Sequence, residues 1–169
     1  MAAMRLSGPW SRFGLAVALA VFIVDRVHKG WMLGVYDIAE KGSVKLTPFF
    51  ELVLVWNRGI SYGLFQQDGA LGRFVLILVT VAVIGALGLW LAAARAWLTA
   101  IGLGLIIGGA ASNLVDRLVY GAVADFFHFH AYGYSWYVFN FADAAIVAGV
   151  AGLLYDSGFG RHKSASNGA

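Results

Sequence analysis

The chain has 169 residues, 60% hydrophobic and 12% charged, with no cysteine and a formal net charge of +3, and its mean hydropathy is +0.77. That is too apolar for a water-soluble domain; the missing thiol excludes disulfides, thiolate metal sites and cysteine nucleophiles, and basic residues scattered singly among apolar runs exclude nucleic-acid binding. Since a span takes roughly 20 apolar residues, about four spans with modest loops fill the chain, and one integral membrane domain over residues 1–158 with a disordered cytoplasmic tail at 159–169 is expected.

The first apolar run, 13–24, follows Arg5 and Arg12 and so begins like a secretory signal peptide. No small-residue cleavage pattern follows, and the run continues through Asp25-Arg26-Val27-His28-Lys29 to Trp31 and Met32, which predicts a retained span over 12–33. Residues 34–71 are more polar. Within them, β-branched and aromatic residues at 44–47 and 51–57 predict a small extracytoplasmic sheet, Asn57-Arg58-Gly59 reads as a turn, and 60–65 is a short apolar run. Spans two, three and four are predicted at 74–94, 97–115 and 139–155, with a tight turn at Arg95 and a loop over 116–138. The Ser- and Gly-rich tail after Arg161 has the composition of disorder.

Trp10, Trp31, Trp90, Trp97 and Trp136 fall near the predicted span ends, where an indole sits at the headgroup level. Gly104 and Gly108, one turn apart in span three, read as ordinary close helix packing. Arg5, Arg12, Arg95, Arg161 and Lys163 share one side of the membrane with only Asp156 as an acid among them, which assigns that side and both termini to the cytoplasm.

This topology brings Asp25, Asp116, Asp125 and Asp143 to the opposite interface. Ionisable groups in or near a bilayer are costly and tend to be paired or functional. Asp25 and Lys29, at i and i+4, are placed to pair on one helix face; Asp116 beside Arg117 reads either as a local charge pair or as a substrate contact. Asp125 and Asp143 have no basic neighbour within a helical turn and lie among aromatic and small apolar residues. Two such carboxylates brought together share a proton, the electrostatics of an aspartic protease, and Asn140, one turn before Asp143, is placed to orient a carboxylate or bind substrate backbone. The same acids suit a proton-coupled transporter, which stays open on this reasoning.

Other chemistries are weaker. His128-x-His130 supplies only two potential metal ligands in an aromatic stretch; Ser61, Ser112 and Ser135 lack a nucleophile elbow; and the Gly-rich 102–109 segment lacks the Lys-Ser or Lys-Thr of a phosphate loop. A structural protein, the third alternative, has no need of Asp125 and Asp143 unpaired.

Four separated blocks carry a resemblance: Asp25-x-x-x-Lys29, Asn57-x-Gly59, Asn113-x-x-Asp116-Arg117-x-x-x-Gly121-x-Val123-x-Asp125-Phe126, and Phe139-Asn140-x-Ala142-Asp143-x-x-Ile146. In kind and order they resemble the lipoprotein signal peptidases, or signal peptidase II, four-span aspartic proteases of bacterial membranes. The resemblance implies Asp125 and Asp143 as the catalytic pair, substrate-binding or dyad-supporting roles for Asn57, Gly59, Asn113, Arg117 and Asn140, and stabilisation of the site by Asp25, Lys29 and Asp116. It also implies a substrate, prolipoproteins whose cysteine carries diacylglycerol, cut just before that cysteine on the outer side of the inner membrane and reached through the lipid. No metal or organic cofactor is expected. His28, Ser112, Arg58 and Ala144 depart from the residues usual at their positions; Ser112 bears on how closely span three packs and His28 on the charges around Lys29.

Overall fold

The computed structural model describes residues 8–59 and 70–160. In chain order these form α1 (Ser11–Gly34), α2 (Ile38–Lys41), β1 (Val44–Thr47), β2 (Phe50–Asn57), α3 (Ala70–Ala92), α4 (Trp97–Val119), β3 (Val123–Ala131), β4 (Tyr134–Ser135) and α5 (Phe141–Tyr155), which runs into a π-helical turn at Asp156–Gly160. The predicted apolar run at 60–65 and the tail after Arg161 lie outside the described residues.

Among the described residues, three helices are long and apolar enough to cross a membrane, over Leu71–Ala92, Trp97–Val119 and Phe141–Gly158. The fold is therefore mostly helical with three such spans, where the sequence predicts four. The difference lies in α1. Its 24 residues are spanning length, about 36 Å at 1.5 Å per residue, but its second half carries Asp25, Arg26, His28 and Lys29.

α4 is the central helix, packing against α1, α3 and α5. It can do so because it presents glycine where neighbours come closest. A Cβ at Gly108 would collide with the Ala18 carbonyl oxygen of α1, and one at Gly109 would stand 2.5 Å from the Ala142 carbonyl oxygen of α5. Both helix pairs thus meet nearly backbone to backbone, as small-residue faces allow in lipid. Near the first turn of α4, Leu91, Ala94, Ala100 and Leu103 form a buried cluster. The outward faces stay apolar, with Leu15, Leu19, Ile23, Leu78, Val79, Leu89, Val147 and Leu154 exposed, as a lipid solvent requires.

The predicted loop over 116–138 is corrected. α4 continues to Val119, Gly121 takes the left-handed conformation (φ +78°) that turns the chain, and residues 123–135 return as two strands. Among the described residues the sheet is larger than the predicted one: four antiparallel strands in the order β1-β2-β3-β4, with Glu51 opposite His128, Val55 opposite Asp125 and Asn57 opposite Val123. The register between β2 and β3 shifts between Leu52 and Val55. Met32, Ile38, Ala124 and Phe126 are buried together and join the end of α1 and the short α2 to this sheet. The same end of the bundle therefore receives β3, the end of α4 and the start of α5.

Candidate active site

α5 begins at Phe141 because Asn140 caps it: the Asn140 side chain accepts from the Asp143 N–H at 2.9 Å, and the Asp143 carboxylate accepts from the Asn140 N–H at 3.3 Å. This reciprocal box fixes Asp143 in the first turn, at the positive end of the helix dipole. Asp125 arrives from β3, where alternation points it away from the face carrying Ala124 and Phe126. Asn140 joins the two acids, since its Nδ2 donates to Asp125 Oδ1 at 2.6 Å. Asn57, at the end of β2, donates to the other Asp125 oxygen at 3.2 Å, and Asn113 of α4 donates to Asp143 Oδ1 at 2.8 Å. The hydrogen-bond partners of both carboxylates are thus amides, which hold the groups without neutralising them.

Burial, reinforced by the nearby Asp143 charge, pushes the Asp125 carboxyl up to about 7, against the pull of Asn57, Asn140 and Lys29. Near neutrality this group is partly protonated where an ordinary aspartate is fully ionised.

Behind the two acids lies a buried charge cluster. Lys29 Nζ is fully enclosed and donates to Asp25 at 2.8 Å, Asp116 at 2.7 Å and Asn113 Oδ1 at 2.9 Å, which uses all three of its protons. Arg26 pairs with the other Asp116 oxygen, so two cations face two anions and the cluster is neutral. Asp25 also accepts from the Ala142 N–H at 3.0 Å, which ties α1 to the start of α5. The i, i+4 pairing of Asp25 with Lys29 is observed as predicted. The local pairing of Asp116 with Arg117 is not: Asp116 turns to α1, and Arg117 donates instead to the carbonyls of Gly59 at 3.1 Å and Asn113 at 3.5 Å. Adjacent helical residues point about 100° apart, so sequence neighbours do not face each other.

Gly59 is held in turn by its N–H, which donates to Asn57 Oδ1 at 3.0 Å. All ten residues singled out in the sequence therefore belong to one connected network. Sequence reasoning missed Arg26, though its place beside Asp25 marked the end of α1 as charged. It also missed the hydroxyl of Ser112, buried and donating to Asp25 at 2.6 Å; a glycine at this position would lack that donor. His28 lies within electrostatic reach of Asp25 and Lys29 but makes no hydrogen bond to either among the described residues. It packs its ring against Phe126, Phe127 and Phe141. His128 pairs with Glu51 across the sheet at 2.7 Å, and hydrogen bonds from Ser43 and His128 hold the Glu51 carboxylate below its usual range.

An open pocket of about 250 Å³ adjoins the network, lined by Asn57, Asn113, Arg117, Tyr137 and Asp143, with Thr80 of α3 and Ile146 and Val147 of α5 on its apolar side. It is walled by α3, α4 and α5. Its polar end carries Asp143 with Asn57, Asn113 and Arg117, beside an apolar flank.

A model of Signal peptidase (SPase) II matches residues 17–159. The chain belongs to the signal peptidase II family. It is thus a membrane protease of the aspartic class, which decides between the peptidase and transporter readings. The lipoprotein signal peptidase of Nitrobacter hamburgensis is 52% identical over 150 residues, covering 86% of this chain and 92% of that protein. That of a Methylobacterium species is 55% identical over 144 residues, covering 85% and 87%. A solved bacterial membrane enzyme superposes with a TM-score of 0.72 at 25% identity, over 86% of this chain and 90% of that one.

Proposed function

We propose that Asp125 and Asp143 are the aspartyl dyad with which this signal peptidase removes the signal peptide from prolipoproteins, cutting before a cysteine that carries diacylglycerol. The observation that carries the reading is the shared Asn140, which binds Asp125 through its side chain and caps Asp143 through its backbone, so that two acids far apart in sequence act on one substrate carbonyl. One carboxylate in its ionised form takes a proton from water as the oxygen attacks the carbonyl carbon. The protonated partner donates to the carbonyl oxygen, and the proton taken from water later goes to the leaving amine.

The remaining residues support this chemistry in two ways. Asn57, Asn113 and Asn140 hold the acids, and Arg117, with Gly59 beside it, borders the pocket where substrate backbone would lie. Asp25, Lys29 and Asp116 bind α1 to α4 and α5, and a buried neutral cluster of that kind serves the fold. The chemistry requires no metal and no organic cofactor.

The reading also sets the protein in its membrane, as one domain through residue 158. α1 serves as the fourth span, its charges lying at the end that meets the sheet and neutralised there by α4. With four spans both termini are cytoplasmic, and the sheet and dyad lie near the periplasmic face of the inner membrane, where acyl chains of the substrate enter from the lipid between α3 and α5.

The test is to supply purified enzyme in detergent with a prolipoprotein in diacylglyceryl-modified and unmodified forms and to read the new N-terminus by mass spectrometry. Cleavage of the modified form immediately before the lipidated cysteine supports the proposal. Cleavage elsewhere, equal cleavage of both forms, or none, refutes it.

A further inference from the structure

We propose that the two carboxylates have fixed and different roles, Asp143 serving as the ionised base and Asp125 as the acid that holds the shared proton, and that Lys29 and Asn113 set this asymmetry as a positioning pair. The inference rests on the dyad assignment above and goes beyond it.

Three features of the geometry distinguish the acids. First, Asp143 is placed at a helix N-terminus and accepts a backbone N–H of that terminus, where a negative charge is favoured; Asp125 lies on a strand, with no such field. Second, Asp143 borders the open pocket, whereas Asp125 is only 1% exposed. Water that must be deprotonated reaches Asp143 first. Third, the donor aimed at Asp143 cannot turn away. An asparagine amide can flip to present either oxygen or nitrogen, but Lys29 Nζ donates to Asn113 Oδ1 at 2.9 Å, which leaves the Asn113 NH₂ to face Asp143 at 2.8 Å. Lys29 is itself fixed by Asp25 and Asp116. Its charge thus reaches the dyad as a directed hydrogen bond.

The other charged groups facing the pair do not reverse this order. From α4, Arg117 acts electrostatically on both acids, and more strongly on Asp143 than on Asp125. Asp25 and Asp116 are neutralised by Lys29 and Arg26.

The resulting cycle balances. The Asp143 carboxylate takes a proton from water while the water oxygen bonds to the carbonyl carbon and the Asp125 proton passes to the carbonyl oxygen, giving a neutral geminal diol. Asp143 then protonates the amine nitrogen, the C–N bond breaks, and one diol hydroxyl returns its proton to Asp125. The acid and amine products leave the dyad as it began.

The two limbs of the pH–rate profile then belong to different residues: the acid limb to ionisation of Asp143 and the alkaline limb to loss of the Asp125 proton. Asn113→Ala removes a donor to Asp143 and is expected to raise the acid limb by about one pH unit without moving the alkaline limb. Asn57→Ala removes a donor to Asp125 and is expected to raise the alkaline limb by a similar amount without moving the acid limb. A purely structural role for either asparagine would lower the rate at every pH and move neither limb, a result that overturns the proposal. Exchange of the two responses overturns it too. Should Asn113→Ala fail to fold, the Asn57→Ala profile decides alone. Asp125→Asn and Asp143→Asn, assayed beside them, separate the two levels: turnover surviving in either removes the dyad itself, whereas loss in both with exchanged limbs removes only the assignment of roles.

Discussion

Replacing Asp125 by asparagine is expected to stabilise the fold at alkaline pH while destroying its activity. The Asp125 carboxyl titrates at about 7 in the folded protein against an ordinary value of 3.8. Because the folded state binds this proton more tightly than the unfolded chain, its contribution to stability is complete below about pH 4, is lost as pH rises towards 7, and stays lost above. The interval corresponds to at most about 4 kcal/mol. An asparagine carries no charge to desolvate, but its NH₂ cannot accept, so one of the two amide donors, from Asn57 at 3.2 Å or Asn140 at 2.6 Å, loses its acceptor. That loss costs about 1 kcal/mol. The variant should therefore be more stable than wild type by roughly 2–3 kcal/mol at pH 8 and less stable by about 1 kcal/mol below pH 4. Thermal unfolding in detergent, followed by tryptophan fluorescence across this range, reads the difference as a crossing of the two Tm curves. Parallel curves, or a variant weaker at pH 8, would show that Asp125 is not a buried acid held protonated by its surroundings.

The charge cluster behind the dyad gives the opposite response. Lys29→Met leaves Asp25 and Asp116 buried with one cation fewer, and loss of about 3–5 kcal/mol is expected, read as a collapse in folded yield on size exclusion. Asp25→Asn and Asp116→Asn should likewise lower folded yield; a normal yield with abolished cleavage would make these residues catalytic rather than structural. Gly109→Ala sets a methyl 2.5 Å from the Ala142 carbonyl oxygen, so α5 must shift at a cost of about 1–3 kcal/mol. Because Asn140 and Asp143 ride on that helix, kcat should fall more than KM rises; unchanged kinetics would mean that the α4–α5 spacing does not position the acids.

The helices that meet lipid were legible because apolar length alone defines them: α4 starts at Trp97 as predicted, and α3 and α5 lie within a few residues of their expected bounds. The end of α4 was not legible. Asp116 and Arg117 look like the start of a loop, and they remain helical where α1 and the Gly59 carbonyl satisfy them. β3 was hidden for a related reason. Ala124, Asp125 and Phe126 are all buried, so the strand lacks the polar–apolar alternation that marks a one-sided sheet, and its partner β2 lies far back in the sequence. Asp125 and Asp143 were identifiable as acids lacking local cations, which is a property of sequence. What joins them is not, because the Asn140 bridge and the Lys29–Asn113 contact exist only once four elements converge.

The most direct test of the account is cleavage of a diacylglyceryl-modified prolipoprotein by purified wild type, Asp125→Asn and Asp143→Asn, each shown to be folded in detergent. The account predicts processing by the wild type and none by either variant. Full activity in one folded variant, or an inactive wild type, would contradict it.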